Sequence, residues 1–279
     1  MARSYDETAT ITAQSYYNSS DADTFYYTIW GGEDIHIGLY ENADEDIGTA
    51  SRRTVAQMAE NTDLGPDSVV LDIGSGYGGA ARYLAGRFGC KVVALNLSEV
   101  ENERAREQNR RAGLEDKIEV VDGSFEDIPF EDTSFDLIWS QDAMLHSGRR
   151  EQVLKEAARV LKTGGQMVFT DPMRADDCET EELGPILARL NLEDLACPAF
   201  YRETLGRLGF EELGFDENTH QLAAHYQRVH DETVVRDAEL SKVVSRDYIE
   251  RMKTGLRHWV DGGQKGRLAW GIFHFRKVS

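Results

Sequence analysis

The stretch VVLDIGSGYGG, Val69 to Gly79, constrains the fold of this chain more than any other. A run of β-formers ends in an acid, and a glycine-rich turn leads into GGAARYLAGRFG. There Ala81, Leu84, Ala85 and Phe88 share one helical face, and Gly89 closes the pattern. A buried strand that enters a helix through glycines is the opening unit of a doubly wound sheet, with its ligand at the turn. The alternation continues: KVVALNLS reads as a strand, EVENERAREQNRRAG as a charged, exposed helix, and IEVVDG and SFDLIWSQ as strands. REQVLKEAARVLKTGG then reads as a glycine-capped helix and QMVFTDP as a fifth strand. Such a series predicts an α/β fold with a doubly wound, mostly parallel sheet and right-handed crossovers. Its ligands belong beyond the carboxyl ends of the strands.

Further along, YRETLGRLGF reads as a helix, FEELGFDEN as a strand and GRLAWGIFHFRKV as a final strand. Between these two strands HQLAAHYQRVHDE and SRDYIERMKTGLRHWVDGG have helical spacing, with Leu222, Tyr226 and Val229 on one face of the first. They predict a helical insertion over about 217–262 that covers the sheet edge or shapes a substrate site. The first fifty or so residues are rich in Tyr and Trp and hold no strong strand. The expected organisation is an N-terminal helical and aromatic lid over 1–60, then a core over 61–279. At 279 residues, with no internal repeat, the chain is long enough for one sizeable hydrophobic core.

The formal net charge of −19 argues against a phosphate-binding footprint, and so against nucleic acid as partner. Only 8 of the 31 basic residues are lysines. An acid-rich, lysine-poor surface suits a salty cytoplasm, and an ordinary solvated acidic surface is the alternative. Cys90, Cys178 and Cys197 are odd in number and far apart, which argues against a disulfide framework or a zinc site. No apolar run is long enough to span a bilayer. The expectation is a soluble, cytoplasmic protein without a metal, acting on a small molecule; the pattern does not specify its oligomeric state.

Two cofactor readings fit the first turn. Gly74, Gly76 and Gly79 satisfy the GxGxxG spacing of a dinucleotide site. With Asp72 the same segment reads DxGxGxG, in which the loop passes beneath the amino-acid part of S-adenosylmethionine. Asn96, at the end of the second strand, has the chemistry to bond ribose hydroxyls. Asp122, at the end of the third, has the chemistry to accept from an adenine amine, with Ser124 and Phe125 edging the ring. Either residue alone also reads as a strand-end turn former. Together they fit an adenosine that carries no pyrophosphate.

The segments LDIGSGYGG, DGSFEDIPFEDTSFDLIWSQDAMLH and LKEAARVLKTGGQMVFTDP, in that order and at these intervals, resemble the class I S-adenosylmethionine-dependent methyltransferases. The resemblance implies a Rossmann-like sheet and S-adenosylmethionine as co-substrate. It places Gly74, Ser75 and Gly76 on the methionine moiety, Asn96 and Leu97 on the ribose, and Asp122, Gly123, Ser124 and Phe125 on the adenine. Gln141 closes the site. Many members carry an acid where this chain has Asn96. YYTIWGGEDIHIG, NLSEVENERAREQN and the DPM after the fifth strand further resemble the sarcosine and dimethylglycine N-methyltransferases of glycine betaine synthesis. Sterol and phosphoethanolamine methyltransferases are similar more loosely.

A sulfonium donor and a methylated ammonium product are soft cations, which favours aromatic walls. Tyr26, Tyr27 and Trp30 are the candidate walls; the plain alternative is that they staple the N-terminal segment to the core. Pro172 and Met173 stand at the ligand end of the fifth strand, where they offer an apolar acceptor surface or ordinary packing. Tyr26, Trp30 and His146 are the expected catalytic residues. His146 in DAMLHSG is the candidate base or a hydrogen-bonded structural residue, whereas His36 in DIHIG reads first as structural. An acceptor carboxylate wants an arginine fork. Arg174 is the first candidate, and Arg52, Arg53 and Arg202 are its rivals. These readings converge on methyl transfer to sarcosine and dimethylglycine. Another small-amine or sterol methyltransferase, a non-catalytic adenosyl-ligand binder and a nicotinamide dehydrogenase are the competing classes.

Overall fold

The computed structural model describes residues 7–279; the first six residues of the expected lid lie outside the described residues. The central strands are the apolar runs. β1 (Val69–Ile73), β2 (Lys91–Asn96), β3 (Ile118–Asp122), β4 (Phe135–Gln141) and β5 (Leu161–Thr170) are linked by the helices α4 (Gly79–Phe88), α5 (Glu99–Ala112) and α6 (Arg150–Val160). With β7 (Phe210–Glu217) and β9 (Gly271–Lys277) they form one seven-stranded sheet in the order β3-β2-β1-β4-β5-β9-β7. Pairing among the first five strands is parallel, and β9 lies antiparallel between β5 and β7. This is the doubly wound, mostly parallel sheet that the alternation predicts. The strand order reverses between β1 and β4, so their carboxyl ends frame the crevice in which such sheets bind ligands.

Helix α6 stops short of its expected glycine cap. Leu161 already pairs with Phe135 of β4, so the chain passes directly from helix to strand, and Gly164 and Gly165 fall within β5. Beyond the sheet, α1 (Glu7–Tyr17), α2 (Ser20–Ile29) and α3 (Ile47–Ala59) precede β1. A second cover comes from α7 (Gly184–Leu190), α9 (Thr219–Val235), α10 (Asp237–Leu240) and α11 (Arg246–Gln264). In α11 the buried residues Ile249, Met252, Leu256, Trp259 and Val260 recur at helical spacing, as do Leu222, Tyr226, Val229 and Thr233 in α9. The two apolar stripes pack together. α8 (Pro198–Arg207) packs by β7, and the two-residue strands β6 (Met173–Arg174) and β8 (Leu268–Ala269) make a small antiparallel ladder.

Among the described residues no helix is long and apolar enough to cross a membrane, and no group of three His, Cys, Asp or Glu is arranged to hold a metal.

Candidate active site

A cavity of about 950 Å³, open mouth included, lies at the carboxyl ends of β1, β2 and β4. Asp72, Gly74, Ser75 and Gly76 line it from the first turn, Asn96 and Leu97 from the second, Gly123, Ser124 and Phe125 from the third, and Gln141 from the fourth. Gly74 and Gly76 take φ values of 75° and 53°, the left-handed backbone that lets this turn fold under a ligand. Helix α4 begins just beyond, with its N-terminal amides at the crevice. Several buried polar atoms here have no protein partner, among them Asp72 Oδ2, Ser75 Oγ and Gln141 Nε2. Unpaired buried groups are costly. Acceptors and donors are present together, as a zwitterionic methionine tail requires.

One expected member is missing. Asp122 does not line the cavity; its carboxylate accepts from Asn102 Nδ2 at 2.8 Å and pairs with Arg106, and its side chain is 48% exposed. The final residue of β3 turns its side chain to the α5 side of the sheet. A buried acid does stand near Asn96: Asn96 Nδ2 donates to Glu101 Oε2 at 2.9 Å, and Glu101 lines the cavity. Burial pushes Glu101 up to about 7, against the hydrogen bond from Asn96. Glu101 sits in the first turn of α5, inside a charged stretch that sequence reading assigns to solvent.

Asp34, His36 and Asp142 complete the cavity wall. Burial pushes Asp72 up to about 7. His36 Nε2 lies 3.4 Å from Asp34 Oδ1; burial opposes charge on the ring, and the Asp34 carboxylate more than offsets it and raises the pKa. Asp142 adopts φ 51°, rare for a residue with a side chain. It is held there by Ile37 N–H at 2.7 Å and Trp270 Nε1 at 2.8 Å.

A second, smaller chamber of about 360 Å³, open space included, adjoins the first and shares Tyr17, Ile35, His36, Asp142 and His146 with it. Its other walls include Tyr26, Trp30, Pro172, Arg189, His225 and Tyr226. Tyr26 of α2 and Trp30, the residue that caps it, are one helical turn apart, with ring centroids 5.0 Å apart. Tyr27 is one residue on and therefore rotated away. It is 38% exposed, under the Arg104 guanidinium at 4.4 Å, and stands outside the chamber. The same one-residue logic separates Pro172 from Met173. Pro172 faces the chamber, whereas Met173 is fully buried in β6 and packs with Met144, Phe169 and Tyr201 in a separate apolar cluster.

At the boundary of the two cavities Tyr17, from α1, bonds His146 Nε2 at 2.8 Å. Burial pushes His146 down to about 3. The ring is neutral near pH 7 and too weak a base to hold a proton taken from an amine, so its environment favours positioning Tyr17 over general-base work.

None of the four arginines considered from sequence reaches the chamber. Arg174 donates to the Cys178 carbonyl at 2.8 Å, Arg52 pairs with Glu33, Arg53 with Glu45 at 2.6 Å, and Arg202 with Glu212 at 2.9 Å. The arginine present is Arg189, from α7. Its Nε and Nη1 are buried without an acceptor, and its guanidinium lies 5.2 Å from the Tyr226 ring and 5.6 Å from Trp259. A Cβ on Gly255, in mid-α11, would come within 2.6 Å of the Arg189 stem. This explains a glycine where a helix would otherwise favour alanine. In the sequence that interior glycine marks a close approach without saying which residue makes it.

Comparison with known proteins agrees with this architecture. Residues 71–169 match the model of a methyltransferase domain family. The chain is 60% identical over 278 residues to the sarcosine/dimethylglycine N-methyltransferase of Halorhodospira halochloris, covering 99% of this chain and 100% of the relative. It is 52% identical over 266 residues to the enzyme of the same name from Aphanothece halophytica, covering 95% and 96%. The crystal structure of a candidate sarcosine dimethylglycine methyltransferase from Galdieria sulphuraria superimposes with a TM-score of 0.89 at 44% identity, over 94% of this chain and 98% of that one.

Proposed function

The chain belongs to the sarcosine and dimethylglycine N-methyltransferases of the class I S-adenosylmethionine-dependent family, and we propose how its two cavities divide that reaction. It is an N-methyltransferase that methylates sarcosine and dimethylglycine, and the product of the last step is glycine betaine. The osmolyte role of that product is our inference, and the acidic, lysine-poor surface supports it.

In our reading the larger cavity takes the donor. S-adenosylmethionine supplies an activated methyl group on a sulfonium centre, so the protein's main task is alignment. Asp72, Ser75 and Gln141 hold the methionine end, Asn96 with Glu101 the ribose, and Gly123, Ser124 and Phe125 the adenine. Helix α1, through Ala13, Gln14 and Tyr17, closes the mouth as the lid. Gln14 Nε2 donates to the Leu97 carbonyl at 3.3 Å, and Asn18 accepts from Ser98 at 2.7 Å, which ties the lid to the β2–α5 turn.

The smaller chamber takes the acceptor. Tyr26, Trp30 and Tyr226 present π faces to a methylated nitrogen, and Arg189 receives the carboxylate. The observation that carries this reading is Arg189, whose Nε and Nη1 are buried without an acceptor in the wall of an aromatic chamber that shares residues with the larger cavity. Its positive charge also disfavours a protonated amine nearby, and only the free base is nucleophilic. A tertiary amine becomes quaternary without losing a proton, so the last methylation needs no base after the transfer. Tyr17 and His146, at the boundary, orient the amine toward the donor.

The test is to incubate the protein with labelled S-adenosylmethionine and glycine, sarcosine, dimethylglycine or phosphoethanolamine, and to read products by mass spectrometry. Label should enter sarcosine and dimethylglycine. Label in phosphoethanolamine alone, or in nothing, would overturn the assignment.

A further inference from the structure

The chamber around Arg189 is lined by hydrogen-bond donors. Trp30 Nε1 is buried there without an acceptor, as are Arg189 Nε and Nη1. His225, 1% exposed on α9, is the residue whose proton position decides whether that pattern is complete.

Its tautomer is set by the segment 36–40. The backbone N–H of Gly38 points at His225 Nδ1 at 3.2 Å, and a backbone N–H only donates. Nδ1 is therefore an acceptor, and the Tyr40 hydroxyl at 2.9 Å is its second donor. The approach of this segment is made possible by Gly38, where a Cβ would stand 2.7 Å from that of Ala50 in α3. Burial, then the charges of His36 and Arg189, hold His225 well below its ordinary pKa, so the ring carries one proton near neutrality. With Nδ1 occupied by the loop, that proton sits on Nε2, the nitrogen left to the chamber.

We infer that His225 is a second anchor for the acceptor carboxylate, donating Nε2–H to the anion that Arg189 binds. This rests on the reading of the chamber as the acceptor site, and it deepens it. Two donors from different helices fix both oxygens of one carboxylate, and so select an amino acid over the amino alcohol with the same tertiary amine. The pattern also separates His225 from His146: the first gives a hydrogen bond to substrate, the second bonds a tyrosine of the lid.

Two substitutions separate this role from a structural one. Asn places its carbonyl oxygen near Nδ1, which preserves the contact with Gly38 and removes the donor into the chamber. Gln places an amide N–H near Nε2, which keeps the donor and gives up the loop contact. The anchor predicts that His225→Asn raises KM for dimethylglycine by roughly ten- to a hundredfold, the loss of one hydrogen bond to a charged group. It also predicts that His225→Gln stays closer to the unaltered enzyme. Turnover of dimethylaminoethanol should respond weakly to both, and S-adenosylmethionine affinity by calorimetry should stay constant. In 15N spectra of histidine-labelled protein, the resonance lost in the variants should carry the Nε2–H signature. Asn outperforming Gln, an unmoved KM in His225→Asn, or an Nδ1–H signature would each overturn the proposal. Absence of dimethylglycine turnover by the unaltered enzyme would overturn the acceptor-site reading itself, and the anchor with it.

Discussion

Replacing Arg189 with Met gives opposite expectations for a ligand-binding arginine and a structural one. A structural arginine is paired, and its loss destabilises the fold. Arg189 has two buried nitrogens without an acceptor, and two aromatic faces, Tyr226 and Trp259, as its compensation. Cation–π contacts of this kind contribute roughly 0.5–2 kcal/mol each. An uncompensated buried charge costs several kcal/mol, by order of magnitude. A methionine of similar length keeps the contact with the rings and removes the charge, so the free protein should melt at the same temperature or higher.

Catalysis should move the other way. A hydrogen bond to a charged group contributes about 1.5–3 kcal/mol, and two are lost, so kcat/KM for dimethylglycine should fall by roughly two to four orders of magnitude. Arg189 does not line the donor cavity, and S-adenosylmethionine affinity should remain within about threefold, under 0.7 kcal/mol. The assays are thermal melts, calorimetry with the donor, and initial rates against dimethylglycine. Rates within a few-fold of the unaltered enzyme, or a melting point lowered by many degrees, would refute the assignment of Arg189 to the acceptor.

Three other outcomes follow from the same geometry. Gly255→Ala should push the Arg189 stem aside and raise KM for both acceptors with donor affinity intact; unchanged acceptor kinetics would mean that the stem has room. Asp72 and Glu101, each pushed to about 7 by burial, bind protons in the free protein that a cationic donor should expel. Binding should therefore release protons near pH 7 and weaken as pH falls below it, as calorimetry in buffers of different ionisation enthalpy will show; a pH-independent affinity between 5 and 8 would contradict this. Tyr17→Phe should lower kcat more than it changes donor affinity, because the ring stays and the bond to His146 is lost; equal kcat in rapid-quench turnover would remove Tyr17 from the alignment.

The lining of the larger cavity was legible because it is local. Each turn that follows a parallel strand carries its ligand-facing residues within a few positions, so LDIGSG, ALNLS, VDGSF and WSQ locate Asp72, Asn96, Ser124 and Gln141 once the strands are placed. Asp122 shows the limit of that logic. Which side of a strand end a side chain takes depends on the competing partners, and Asn102 and Arg106 on α5 claim this carboxylate. Glu101 was hidden for the complementary reason: in a helix with acids and arginines all round, nothing marks which acid faces inward.

The smaller chamber illustrates why such sites resist reading from a single sequence. Tyr26 and Trp30 come from α2 and its cap, His146 from the turn after β4, Pro172 from the turn after β5, Arg189 from α7, and His225 and Tyr226 from α9. Each element contributes one or two side chains, and periodicity assigns an inward face to a helix without saying what lies opposite. Phase separates neighbours, Tyr26 from Tyr27 and Pro172 from Met173, without saying which of the two faces inward. Between elements the informative marks are the small residues that allow close approach. Gly255 in α11 makes room for an arginine of α7, and Gly38 lets an amide reach His225. The glycine in mid-α11 is visible in the sequence, whereas the arginine opposite it, which has no acid to pair with, is visible only in the fold. The fold bears a cost there, about 1 kcal/mol for the glycine and more for the unpaired charge, which the Tyr226 and Trp259 faces offset in part and a bound anion would offset further.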